Sequence, residues 1–131
     1  MAVPAELRDS TGALKFPWHA VFEEYDPELF AAFNAWSTRV EVHKDLDAKT
    51  RDLITVALAA IVALPSPFID VHIHRAFDSG VTIQELLEAI VVAGQTGGGC
   101  GHAMNHGFTS LGKVIGERQK AGEPTKRRRS H

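Results

Sequence analysis

Residues 72–98, HIHRAFDSGVTIQELLEAIVVAGQTGG, decide the fold. Within them Thr82-Ile83-Gln84-Glu85 is a capping box, in which the threonine hydroxyl and the glutamate carboxylate each satisfy a free amide at a helix start. The helix it opens carries Ile83, Leu86, Leu87, Ile90 and Val91 on one face. A preceding helix is predicted from about Pro67 to Ser79, stopping at Gly80, a natural C-terminal cap. Downstream, Gly97-Gly98-Gly99 interrupts the pattern, and a last helix follows with Met104, Phe108, Leu111 and Ile115 as its apolar stripe. The glycines of GQTGGGCGHAMNHG follow no strand and are closed by no Lys-Ser or Lys-Thr, so they are a tight interhelical turn rather than a phosphate cradle.

Moving outward, DAKTRDLITVALAAIVAL (47–64) is apolar nearly all round after its first turn, which predicts a helix buried on most sides, in the core or between subunits. Pro65-Ser66-Pro67 breaks it, because a proline cannot donate the hydrogen bond an interior helix position needs. Asp26-Pro27-Glu28 supplies another start, with Asp as N-cap and Pro at the first helical position. Leu29, Phe30, Phe33 and Trp36 follow at helical spacing, to about Val40. The expected architecture is all-α, a bundle of about five helices over residues 26–119. Residues 1–25 are expected to form a docked arm, with Phe16, Trp18, Val21 and Phe22 laid across a neighbouring surface. Residues 120–131 are expected to be a disordered basic tail.

The chain has 131 residues and 44% hydrophobic content, enough for one core. The net charge of −2 is uneven: Lys120, Lys126, Arg127, Arg128 and Arg129 against Glu123 make +4, leaving −6 elsewhere. An acidic body argues against nucleic acid as the main partner, since phosphate contacts need a basic face. No apolar run is long enough to span a membrane, and Glu6, Arg8 and Asp9 stand where a signal peptide would be apolar, so a cytoplasmic protein is expected. Cys100 is the single cysteine, which excludes a two-thiol redox cycle within one chain.

The spaced elements KTRDLITVALAA and HIHRAFDSGVTIQELLEAIVVAGQTGG together resemble the signature of the carboxymuconolactone decarboxylase and alkylhydroperoxidase-D-like superfamily, over roughly residues 26 to 118. The family's helix opening corresponds to Lys49, Thr50, Arg51, Asp52, Leu53 and Ile54. Its histidine, alanine and glycine correspond to His72, Ala76 and Gly80, its next helix start to Thr82 and Glu85, and its closing glycines to Gly97–Gly99. The resemblance implies an alkylhydroperoxidase-D-like helical bundle assembling as a homotrimer or homohexamer, with sites formed partly at subunit contacts. The peroxidase branch places a Cys-x-x-Cys pair four residues before the histidine; here those positions hold Pro65 and Phe68, so thiol-dependent hydroperoxide reduction has no path. Asp52 precedes His72 by twenty residues, one more than the family interval, consistent with a local insertion at Pro65-Ser66-Pro67.

The candidate catalytic residues are His72 and Asp52. His72 lies one turn from both Ile69 and Ala76, beside the apolar stripe, and its alternative is a core histidine bonded to a carbonyl. His74, flanked at one turn by Asp70 and Asp78, is expected to be solvated. Asp52, beside Val56 and Ala59, must be paired or shifted in pKa; the alternatives are a salt bridge to Arg51 or Lys49 or a first-turn acid favoured by the helix dipole. Arg51, Arg75 and Cys100 are the candidate substrate contacts, although Cys100 also falls on the core side, one turn from Met104, where a buried inert thiol is the ordinary outcome. His102 and His106, four apart, could grip one divalent metal if an oligomer contact supplied a third ligand. The expected activity is lyase-type acid–base chemistry on a small carboxylated or lactone-like metabolite, with no cofactor required. The rivals are a metal-dependent enzyme using His102 and His106, and a non-catalytic ligand- or partner-binding member.

Overall fold

A computed structural model describes residues 17–41 and 45–128. Those residues contain six helices: α1 (Pro17–Tyr25), α2 (Pro27–Glu41), α3 (Ala48–Ile61), α4 (Phe68–Asp78), α5 (Ile83–Gly97) and α6 (Cys100–Ala121). There is no strand among them, only an isolated bridge between Thr82 and Lys126. No described helix is long and apolar enough to cross a membrane. The chain divides into two compact units near Leu46, the first holding α1 and α2 and the second α3 to α6.

In the first unit the expected arm is partly a helix. Trp18, Val21, Phe22 and Tyr25 recur at the spacing of one helical face, and Pro17 takes the first position, where its missing N–H costs nothing. Phe16 lies outside the described residues. The α2 start follows expectation, the Asp26 carboxylate accepting from the Leu29 amide at 2.9 Å. The two helices join through rings, with Trp18 and Phe33 centroids 5.3 Å apart and Phe22 5.5 Å from Phe30. Two helices cannot enclose all their apolar surface, so Tyr25, Leu29 and Trp36 stay exposed.

The second unit is built from legible stops and starts. Asp47 caps α3, accepting from the Thr50 amide at 2.7 Å; that amide, then the Thr50 hydroxyl, holds the Asp47 carboxyl below the usual carboxylate range. The α3 helix ends at Ile61 rather than Leu64, with Ala63 at φ 54. The physical reason lies ahead of the break, because Pro65 disfavours helical backbone in the residue before it. At the end of α4 the Gly80 amide donates to Phe77 and the Val81 amide to Ala76, a Schellman closure that buries Val81 completely.

The Thr82 capping box is present in full. The Glu85 amide donates to Thr82 Oγ1 at 3.1 Å, and the Glu85 carboxylate accepts from the Thr82 amide at 2.8 Å. Partial burial pushes the Glu85 carboxyl up, but Lys49 at 2.8 Å and the Thr82 amide outweigh it and hold the group below its ordinary value. Because the folded value is depressed, this stabilisation is present above about pH 4.5 and is lost as the pH falls through the lower folded value. Thr82→Ala is expected to destabilise the protein by about 1 kcal/mol, the usual cost of a lost N-cap, read as a shift in the urea midpoint with unchanged slope.

Val56, Ala59, Ala60, Ile69, Ile73, Ala76, Leu86, Ile90, Ala103, Leu111 and Val114 form the core of this unit. The buried line on α6 runs through Ala103, Gly107, Leu111 and Val114, with the expected stripe of Met104, Phe108 and Ile115 packed at its edge. Small residues let the helices close. A Cβ at Gly107 would sit 2.9 Å from Ile90 Cγ2 and 3.1 Å from Ala60 Cβ, and one at Gly94 would sit 2.8 Å from Cys100 Cα. The α3 helix is less enclosed than expected: Ile54, Leu58 and Val62, spaced four apart, are exposed. The last helix continues to Ala121. The segment expected to be disordered is instead bonded to α5, Lys126 accepting from the Ile83 amide at 2.8 Å. Residues 129–131 lie outside the described residues.

Candidate functional site

The first turn of α3 presents Arg51 and Asp52 side by side. Asp52 is 4% exposed, on the face of Val56 and Ala59, and its Oδ1 accepts from Arg51 Nε at 2.9 Å. Of the pairings open from the sequence, Asp52 takes Arg51, while Lys49 turns to Glu85. A carboxylate kept from water by α3 packing is thus charge-paired within its own helix turn, which lowers the cost of burying it.

On α4, His72 is half-buried and stands beside the fully buried Ile69, Ile73 and Ala76. Arg75, three residues on and also half-buried, shares that side of the helix. The ring thus sits at the edge of the core and is in part open to the outside.

His74 does not behave as expected. It is 3% exposed rather than solvated, because α6 covers Asp70 and His74 and leaves Asp78 exposed at the rim. His74 Nε2 lies 3.1 Å from Glu117 Oε2 and Nδ1 lies 3.4 Å from an Arg118 terminal nitrogen. Since the guanidinium can only donate, the ring accepts at Nδ1 and donates from Nε2. Arg118 is itself 2% exposed and donates further to the His74 and Pro124 carbonyls and to Asp78 Oδ1.

The same interface continues towards the start of α4. Asp70 Oδ2 accepts from Ser66 Oγ at 2.6 Å and from Lys113 Nζ at 2.7 Å, whereas Asp70 Oδ1 is buried without a hydrogen bond. Lys113 also donates to Ser66 at 2.9 Å. The hydrogen bond that Lys113 donates to Asp70 raises the Lys113 pKa above the usual lysine value despite some burial, helped by the charges of Asp70 and Glu117. A lysine held as a cation cannot take a proton from Ser66, so the pair is not a serine nucleophile with its base.

The remaining candidates are scattered. Cys100 is exposed rather than core-side, because α6 begins there and its backbone, not its thiol, meets Gly94. His102 is exposed, while His106 is half-buried with Nε2 bonded to the Leu64 carbonyl. That bond leaves only Nδ1 of His106 for a metal, and no three potential metal-ligating side chains come together among the described residues. The α4–α6 network was missed from sequence, although Asp70, His74 and Asp78 repeat every four residues and Lys113 and Glu117 do the same on α6.

Among known proteins, residues 27–105 match the family model described as the carboxymuconolactone decarboxylase family. No curated protein and no solved structure is matched.

Proposed function

Since the chain belongs to the carboxymuconolactone decarboxylase family, we propose that it is a non-redox enzyme of lyase type acting on a small carboxylated or lactone-like metabolite. The observation that carries this reading is the half-buried position of His72 against an apolar wall, with Arg75 one turn away and no cysteine at Pro65 or Phe68. Loss of carbon dioxide leaves electron density on a conjugated carbonyl, and His72 supplies the proton that quenches the resulting enolate. Arg75 holds the substrate carboxylate. Asp52, fixed by Arg51, is the second ionisable group of the proposed site. Cys100 is kept as a further substrate contact in this reading, and no cofactor takes part. The setting is cytoplasmic.

The active form is a homotrimer or homohexamer in this reading. Support comes from apolar surface that single chains leave in water: Ile54, Leu58 and Val62 on α3, and Trp18, Leu29 and Trp36 on the first unit. Light scattering is expected to report a trimer or larger, and a stable monomer at micromolar concentration would contradict this assembly.

Carbon dioxide release from a panel of carboxylated lactones and related small acids tests the activity, with chelator-treated protein as a parallel arm. Turnover that survives the chelator is the expected result. Activity abolished by chelation and restored by a divalent metal would transfer the chemistry to His102 and His106. Absence of turnover across the panel by assembled protein would overturn the lyase reading in favour of a binding role.

A further inference from the structure

After α6 ends at Ala121 the chain turns through Gly122, at φ 71, and crosses to the start of α5. Its fastenings include an ion pair, with Arg118 Nη1 3.4 Å from Glu123 Oε2, and single hydrogen bonds. The Glu123 amide donates to the Arg118 carbonyl at 2.9 Å, and the Pro124 carbonyl accepts from Arg118 Nε at 3.0 Å. The Lys126 carbonyl then accepts from the Ile83 amide at 2.8 Å, and the Arg128 amide donates to Gln84 Oε1 at 2.6 Å. Lys126, Arg127 and Arg128 thereby form one wall of a groove whose other wall is Thr82, Gln84, Glu85 and Glu88. Among the described residues no hydrophobic side chain after Ile115 belongs to the apolar core or packs against it, and Pro124, Lys126, Arg127 and Arg128 are all exposed.

We propose that residues 123–128 are a detachable lid on this groove, with Gly122 as its turn and Arg118 as its latch. A segment fastened by peripheral hydrogen bonds and little apolar burial opens at a lower free energy than the helices beneath it. Its departure does not strand the latch, because Arg118 keeps Asp78, the His74 carbonyl and the Phe77 ring, 5.3 Å from its guanidinium carbon, all on α4. What opening uncovers is chemically defined. The Ile83 N–H, Gln84 Oε1 and the Glu88 carboxylate, beside a Glu85 already paired with Lys49, offer one donor, one acceptor and one uncommitted negative charge, which suits an extended basic segment. The chain's own C-terminal segment is that occupant.

Hydrogen exchange on the full chain tests the lid. The Ile83 amide, bonded to Lys126, reports lid opening; the Val81 amide, bonded to the Ala76 carbonyl, and the Leu86 amide, bonded to the Thr82 carbonyl, report the helices. In the unsubstituted protein Ile83 is expected to exchange at least about tenfold faster than Val81 and Leu86, as a local opening requires. Gln84→Ala removes the acceptor for Arg128 without touching the core, and is expected to speed Ile83 by about a further tenfold and native-state trypsin cleavage after Lys126 in parallel, leaving Val81 and Leu86 unchanged. Equal exchange of Ile83 and Val81 would mean that the segment leaves only when the bundle unfolds. An unaltered Ile83 rate in Gln84→Ala, or equal acceleration of all three amides, would equally overturn the lid.

Discussion

The His72→Asn protein is expected to turn over substrate about 10²-fold or more slowly with its stability nearly intact, the usual scale for losing a general acid or base. Asparagine keeps a polar side chain of similar reach but cannot exchange a proton near neutral pH, so kcat falls more than KM rises. His74→Asn, two residues along the same helix, is expected to fail in another way. Its ring donates to Glu117 and accepts from Arg118 in a site 3% exposed, and the shorter amide cannot span both. Leaving those buried groups short of partners costs about 1–3 kcal/mol. Melting temperature should therefore drop in His74→Asn, while kcat per folded molecule holds. The two measurements separate chemistry from architecture. A large kcat loss in folded His74→Asn, with His72→Asn fully active, would place the chemistry on the other face of α4.

Much of the helix layout was legible because its signals are local. The Asp26 and Thr82 caps, the Gly80 stop and the glycine turn after α5 each act within a few residues, and each recurs in the structure. The first helix escaped: a segment read as a docked arm holds Trp18, Val21, Phe22 and Tyr25 at helical spacing over too few turns to stand out as a period. What else escaped was non-local. On a helical wheel Asp70, His74 and Asp78 read as a solvated face. Asp70 and His74 become an interior, with Asp78 at its exposed rim, only because Lys113, Glu117 and Arg118, some forty residues later, bring complementary charges to them. Arg118 lay in the run leading to the basic tail, and no residue type is less expected in a buried position. Cys100 failed for the opposite reason, since a periodicity argument presumes that the helix already exists, and α6 starts at that residue.

Replacing Arg118 with alanine is expected to destabilise the protein by about 3–5 kcal/mol, the scale for breaking a buried charged network from one side. Its side chain is 1% exposed, bonded to Asp78 at 2.9 Å and placed 3.4 Å from Glu123, with the Pro124 and His74 carbonyls also in reach. The Asp78 bond is not the main source of that cost. Asp78 is 59% exposed and regains water when the guanidinium is lost, so Asp78→Asn should cost less than about 1 kcal/mol, as exposed ion pairs do. The larger share comes from acceptors that cannot rehydrate, the His74 ring and carbonyl, together with the vacated volume beside Phe77. Arg118→Lys retains the charge but not the fork that reaches several acceptors at once, so it should fall between the two. Urea titrations of the three variants are expected to rank them Asp78→Asn, Arg118→Lys, Arg118→Ala in order of increasing loss. Equal losses for Asp78→Asn and Arg118→Ala would show that a single ion pair, rather than the packed junction of α4, α6 and the C-terminal segment, is what Arg118 provides.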